Sequence, residues 1–280
     1  MGRRRFLKLM TTLCMVHGMP SFACGKPLES QTLSDGLRPA DETPQTTFMK
    51  ACSGQDRDGD PVFEPTATKL LESIVKRLSR LQDTVGYANF CLFNFDEMRH
   101  IAYSYSNIGE FPRTEIDCLE KLFYTAASHY GFLGEKTFQH ITDRTDKQLV
   151  EKIPGTGNYL YKGVSIEMYH NISKDVGSQL ILTAGVRGIV KQFYLFLSKA
   201  LRHNGNLSLA SRSIAPPGYS FHVAGDFDVG KAGYGVANFS GRFTETNVYA
   251  KLKSLDYVKF RYPPGNPTGI VFEPWHIQVV

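Results

Sequence analysis

The sequence predicts an α+β fold, with an antiparallel sheet in its C-terminal half and a mostly helical extension before it. Three observations predict it. Apolar residues recur at helical spacing in several separated segments. Strand-like runs in the C-terminal half follow one another over short links, which favours antiparallel pairing. Regular βαβ alternation is missing, and "PGTGNYLYKG" (154–163) fits neither the Walker lysine pattern nor GxGxxG.

The first element is a leader. The chain starts "MGRRRFLKLMTTLCMVHGMPSFACG": a basic start, a short weakly apolar run, then small residues before Cys24. That is the pattern of a secretory signal over residues 1–23. "RRRFLK" resembles the twin-arginine export motif, which Arg3, Arg4, Phe6, Leu7 and Lys8 fit. Cleavage after Ala23 is the expectation. Lipidation of Cys24 is the alternative, although Ser21 stands where a lipobox has Leu. The run is too short for a membrane span, which needs about 20 apolar residues. The expected location is the periplasm or cell envelope.

Residues 24–65 are rich in Pro, Gly, Ser, Thr and Asp and read as a linker or poorly ordered arm. "DRDGDPVFE" within it resembles a calcium loop through Asp56, Asp58 and Asp60, but Pro61 stands where such a loop needs Gly. A solvated acidic loop is the expectation there.

A helix-rich region at 66–150 follows. Leu70, Leu71, Ile74, Val75, Leu78 and Leu81 share one face of a helix over 66–82. "YANFCLFNF" (87–95) and "HIAYSYS" (100–106) read as short strands. A second helix is expected at 114–130, with Ile116, Leu119, Leu122, Phe123 and Ala126 inward.

Residues 151–280 form the region that carries chemistry. "YKGVSIEMYHNISKDV" (161–176) reads as helix, "SQLILTAGV" (178–186) as strand and 188–203 as helix. "SFHVAGDFDV" (220–229) and "AGYGVANFS" (232–240) read as extended. A helix at 243–255 and the strands "YVKFRY" (257–262) and "GIVFEPWHIQVV" (269–280) complete the chain.

With 42% hydrophobic and 21% charged residues, the 280-residue chain has enough apolar material for a full core. The formal charge is +5, and the leader's Arg3, Arg4, Arg5 and Lys8, with no acid among them, leave +1 for the rest. That balance gives no support for a nucleic-acid partner. Outside the leader the cysteines are Cys24, Cys52, Cys91 and Cys118, which allow three complete disulfide pairings in an oxidising compartment.

Two C-terminal stretches hold the parts of a hydrolytic metal centre. Zn²⁺ in such a centre takes three protein ligands and keeps one position open, and imidazole and carboxylate suit it. A nearby carboxylate can serve as general base. His222, Asp226 or Asp228, Glu273 and His276 supply these groups. His222, Asp226 and Asp228 have even separations, so a regular strand would point all three to one face. Gly225 permits a bulge or bend between them. Glu273 and His276 would face oppositely on a strand, but Pro274 implies an irregularity that can bring them together. Each signal alone has a plain structural reading: a satisfied core histidine, a surface Asp-Phe-Asp, a capped edge strand.

Together these residues resemble a known family. "GYSFHVAGDFDV" looks like the Ser-x-His-x-x-Gly…Asp-Val motif of VanY-type zinc D-alanyl-D-alanine carboxypeptidases, which group with lysostaphin-like peptidases and hedgehog domains. "EPWH" resembles the closing Glu-x-Trp-His, and "TAGVRGIVKQ" (183–192) looks like Ser-Gly-Tyr-Arg-Ser…Gln. The three stand in the family's order, and the resemblance covers about residues 150–280. The resemblance implies a central antiparallel sheet flanked by helices, with the zinc site on the sheet. It implies His222, Asp228 and His276 as metal ligands and Glu273 as general base. Arg187 would bind the substrate's terminal carboxylate or the oxyanion, and Ser220 would help hold the substrate end. Gln192 would support the fold, and Trp275 would line the pocket or pack in the core. Five residues separate His222 from Asp228 where the family has six, so Asp226 stays open as the alternative ligand. Val-Arg-Gly also replaces Tyr-Arg-Ser around Arg187.

The expected activity is removal of the terminal D-Ala from peptidoglycan stem peptides. Cleavage of cross-links by an endopeptidase, and a zinc-bearing cell-wall binding module without turnover, are the alternatives. Two other motifs fall short. "GYSFH" (218–222) has His222 where a nucleophile elbow ends in Gly. "SIVK" (73–76) matches Ser-x-x-Lys, but "EKTF" (135–138) is no Lys-Thr-Gly, and Ser73 and Lys76 lie off the apolar face of their helix.

Overall fold

The computed structural model describes residues 59, 60, 62 and 65–279. The expected leader, most of the expected linker, Cys24, Cys52, Asp56 and Asp58 lie outside the described residues.

Helix α1 (Pro65–Val85) is the amphipathic segment read from its leucine spacing, and Leu71, Ile74, Leu78 and Leu81 are completely buried on it. The two segments expected as strands are helices instead: α2 (Tyr87–Phe90) and α3 (Phe95–Ser104). A capping box starts α3. The Asn94 side chain accepts from the Glu97 amide at 2.9 Å, and the Glu97 carboxylate accepts from the Asn94 amide at 3.1 Å. The aromatic content of these runs suits strands, but Phe95, Met98 and Ala102 bury one helical face. Helix α4 (Arg113–Tyr124) is shorter than its apolar pattern, because Thr125 is extended and a 3₁₀ turn follows at Ala127–Tyr130.

A short antiparallel hairpin, β1 (Val150–Lys152) and β2 (Tyr159–Tyr161), precedes helix α5 (Val164–Val176). Then come β3 (Leu180–Ala184), α6 (Ile189–Arg202), α7 (Leu207–Ser211), β4 (Phe227–Lys231), α8 (Asn247–Ser254), β5 (Lys259–Phe260) and β6 (His276–Gln278). The main sheet has the order β3-β4-β6-β5, and every pair is antiparallel. This is the α+β architecture expected from the sequence. The stretch 232–240, expected as extended, is a 3₁₀ turn at Gly235–Phe239. Asn238 folds it back on β4: its side chain accepts from the Lys231 amide at 2.8 Å and donates to the Lys231 carbonyl at 3.1 Å.

Helix α6 is buried almost all round, including Lys191, Gln192 and Lys199. A helix covered on every face lies inside a core. One continuous hydrophobic cluster joins Leu78 of α1, Phe95 of α3 and Leu119 of α4 to Phe193 and Phe196 of α6 and to Leu182 and Val229 of the sheet. The helical region and the sheet region therefore share apolar surface.

Asp60, from the acidic run, does not stand alone in solvent. Its two oxygens lie 2.9 and 3.0 Å from Arg212 Nη2, and Asn206 Nδ2 donates to it at 3.3 Å. Cys91 and Cys118 are free thiols. No helix of the described residues is long and apolar enough to cross a membrane.

Candidate metal centre

Four backbone devices assemble the centre. His222 sits in a 3₁₀ turn (Phe221–Val223), not on a strand, so its even spacing from Asp228 has no bearing on where it points. Gly225 then reverses the chain at φ 125°, a region that costs an L side chain free energy, and a Cβ there would meet Ser165 Oγ at 3.0 Å. The Gly225 carbonyl accepts from that same hydroxyl at 2.8 Å. The chain enters β4, where Asp228 is the Cα partner of His276 on β6. Directly opposed residues on paired strands put their side chains on one face. Finally, the Glu273-Pro274-Trp275 turn holds the His276 amide 3.2 Å from the Glu273 carbonyl. This is the irregularity expected at Pro274, and it sets Glu273 and His276 side by side.

The resulting cluster is compact and buried. His222 Nε2 lies 3.3 Å from Asp228 Oδ2, and His276 Nδ1 lies 3.3 Å from both Asp228 Oδ1 and Glu273 Oε2. The two imidazole rings are 4.7 Å apart between centroids. One ligand atom from each of His222, Asp228 and His276 falls within 4.8 Å of the others, the geometry of a three-ligand site. Tyr262 closes one side, its ring 5.0 Å from that of His276 and its carbonyl accepting from the Glu273 amide at 3.0 Å.

Hydrogen bonding decides whether a cation fits. His222 Nδ1 is 2.8 Å from the Gly185 carbonyl, which can only accept, so Nδ1 carries the proton. In neutral imidazole the lone pair of Nε2 then faces the Asp228 carboxylate, acceptor against acceptor. His222 Nε2 and Asp228 Oδ1 are buried with no hydrogen-bond partner. Such groups are costly unless something positive lies between them. A proton does not fill the role at neutral pH, because burial and then the Arg187 charge push the His222 pKa down to about 4. A metal ion fits this donor set.

The surrounding groups are tuned in distinct ways. Burial raises the Glu273 carboxyl above the ordinary glutamate range, although its bond to His276 opposes this. A general base gains from that direction of shift. Burial would lower His276, but hydrogen bonds to Asp226 and Glu273 outweigh it and lift the ring to about 9.

Arg187 lies in the loop after β3, and its Nη2 donates to Asp228 Oδ2 at 2.5 Å. It touches a carboxylate of the cluster itself. Gln192 ties two loops together: its amide donates to the Arg187 carbonyl at 2.9 Å and its oxygen accepts from the Gly218 amide at 2.7 Å. Ser220 is buried two residues before His222, and its carbonyl accepts from the Thr137 hydroxyl at 3.3 Å. Trp275 is buried and packs edge-on against Phe239, 5.9 Å between centroids. Asp226 lies beside the cluster but outside the three-ligand set, bonded instead to Arg261.

Two features had no counterpart in the sequence reading. Arg261 is one; nothing marks it within "YVKFRY". The other is the grip of the helical region on the Arg187 loop. The Gly188 amide donates to the Cys91 carbonyl at 2.7 Å, and a Cβ on Gly188 would lie 2.9 Å from the Phe93 carbonyl. One turn on, the Lys191 ammonium donates to Gln82 at 2.8 Å and lies 4.6 Å from the Tyr87 ring centroid, with Phe90 and Tyr194 each at 5.4 Å. These contacts join positions about a hundred residues apart, which local patterns do not report.

The antiparallel sheet carries a buried two-histidine, one-aspartate cluster that could hold a metal ion, with a glutamate beside it. Comparison with known proteins agrees in class. Residues 164–280 match the family model VanY, D-alanyl-D-alanine carboxypeptidase. Among solved structures, the chain is similar to the vancomycin resistance D,D-pentapeptidase VanY from a VanB-type resistance cassette, a mutant in complex with Zn(II). Identity is 23% over 47% of this chain and 78% of that one, with a TM-score of 0.39. It is also similar to the vancomycin resistance D,D-dipeptidase VanXYg in complex with a D-Ala-D-Ala phosphinate analogue (20% identity, 49% of this chain and 54% of that one, TM-score 0.39). A third is the LD-carboxypeptidase LdcB, whose structure concerns peptidoglycan recognition (21% identity, 52% of this chain and 66% of that one, TM-score 0.38). The chain thus spans less than two thirds of the last two. None of the curated proteins compared matches.

Proposed function

We propose that this chain is an exported zinc-dependent peptidoglycan peptidase, a D-alanyl-D-alanine carboxypeptidase that removes the terminal D-Ala of stem peptides. The observation that carries the reading is the buried lone-pair conflict between His222 and Asp228, inside a segment that matches the VanY family model. His222 through Nε2, Asp228, and His276 through Nδ1 would hold the zinc ion. Zinc at such a centre supplies Lewis acidity. Glu273, beside His276 and raised by burial, takes the proton of the attacking water and returns it to the leaving amine. Arg187 anchors the substrate's terminal carboxylate, for which the planar guanidinium fork is suited. Ser220, on the loop that leads to His222, helps hold the same end. The leader-like segment at 1–23 supports export to the periplasm or cell envelope.

Digestion of purified muropeptides followed by mass spectrometry tests the reading. Loss of one alanine residue mass from pentapeptide stems is the expected result. Split dimers would replace carboxypeptidase with endopeptidase action, and unchanged muropeptides at full zinc occupancy would refute the activity.

A further inference from the structure

Asp226 occupies a position that the proposed reaction does not use, yet its carboxylate accepts four hydrogen bonds. It is fully buried. Its Oδ2 accepts from Arg261 Nε at 2.7 Å and from His276 Nε2 at 3.2 Å. Its Oδ1 accepts from Arg261 Nη2 at 3.0 Å and from the Val279 amide at 2.8 Å. A carboxylate offers about four lone-pair sites, and all are taken. Asp226 has nothing left to give a metal.

Arg261 is itself held on three sides. Its amide donates to the His276 carbonyl at 3.1 Å, its guanidinium forks onto Asp226, and its Cζ stacks 3.9 Å from the centre of the Phe221 ring, next in sequence to His222. The pair therefore touches the segments of both candidate histidine ligands. A carboxylate can only accept, so the His276 nitrogen facing Asp226 must carry a proton. Nε2 is thereby committed to Asp226, and Nδ1, which faces Asp228 and Glu273, is the nitrogen left to exchange its proton for a metal.

We infer that Arg261 and Asp226 form a positioning pair that fixes the tautomer and ring plane of His276, so that Nδ1 and not Nε2 is presented to the metal. The inference rests on the zinc reading above and adds residues to it. Carboxylate partners of ligand histidines commonly govern metal affinity in this way, with losses of about 10–100-fold on removal.

The test uses the full chain loaded with zinc. Histidine ¹⁵N NMR is expected to show His276 with a proton on Nε2 and metal on Nδ1. Chelator competition is expected to show zinc bound about 10–100-fold more weakly in Asp226→Ala. Arg261→Met leaves the carboxylate but strips two of its donors; a smaller loss in the same direction is expected, with Arg261→Lys between it and wild type. The Arg261 variants keep the test open if Asp226→Ala does not fold. Metal on Nε2, or variants that bind zinc as tightly as wild type, would overturn the inference and leave the zinc site standing. A wild-type protein that takes up no zinc would overturn the proposed function itself.

Discussion

Glu273→Gln isolates the proton-transfer role. The substitution keeps side-chain volume in a site where Glu273 is only 4% exposed. It removes the acceptor of the water's proton while leaving an amide oxygen beside His276. Loss of a positioned general base costs about 10²–10⁴-fold, which is about 2.7–5.4 kcal/mol of activation free energy at 1.36 kcal/mol per decade. The three proposed ligands do not include Glu273, so zinc at saturation should stay at one ion per chain. Losing a negative charge 3.3 Å from His276 Nδ1 should weaken zinc binding somewhat, which makes occupancy the necessary control. D-Ala release from a pentapeptide ending in D-Ala-D-Ala gives turnover, and elemental analysis of the same sample gives zinc. Turnover near wild type at equal occupancy would refute the base assignment. A chain that no longer holds zinc would make Glu273 a ligand instead.

Other expectations follow from the same geometry. Asp228→Ala should abolish tight zinc binding, measured by chelator competition, because it removes the carboxylate that both histidines face. Arg187→Lys should cut turnover strongly on substrates with a free terminal carboxylate and little on amidated ends, since Lys lacks the planar fork; equal loss on both would assign Arg187 to the oxyanion or to Asp228. Lys191 carries a pH signature. Burial lowers its pKa to about 7, well under the unfolded value, so its charged form penalises folding below pH 7 and the penalty eases as pH rises. Between pH 7 and 8 the wild type should gain about 1 kcal/mol relative to Lys191→Met in paired denaturant titrations; parallel curves would show that the aromatic box and Gln82 offset the burial.

Much of the fold was legible because it rests on periodicity. The leucine spacing of α1, the apolar run of β3 and the pattern of α6 each report burial directly. The aromatic runs at 87–106 misled because Phe and Tyr favour strands until a cap such as Asn94 commits them to a helix. At the site, residue types and order were informative, whereas the spacing argument for His222 was not: it assumed a strand where a 3₁₀ turn and Gly225 set the direction. The choice between Asp226 and Asp228 was open in the sequence because parity treats them alike. What separates them is Arg261, 35 residues away, which takes up the lone pairs of one. Arg187 read as a substrate anchor from its motif; its contact with Asp228 emerges only when β3 and β4 pair.

The encasement of α6 has a consequence for how such a chain can change. A helix with one exposed face can accept polar substitutions there at little cost, and so can drift. On α6 that freedom is gone: its outward residues, Lys191 among them, are already matched to Gln82, Tyr87 and Phe90 of the helical region. Shortening or exchanging that region would leave a greasy stripe and an unhoused ammonium one turn from Arg187. Variation in the two halves is therefore tied, and a natural chain lacking the helical region would have to carry a recoloured α6, with polar residues where this one has Phe193, packed on Phe95, and Phe196, packed on Tyr130.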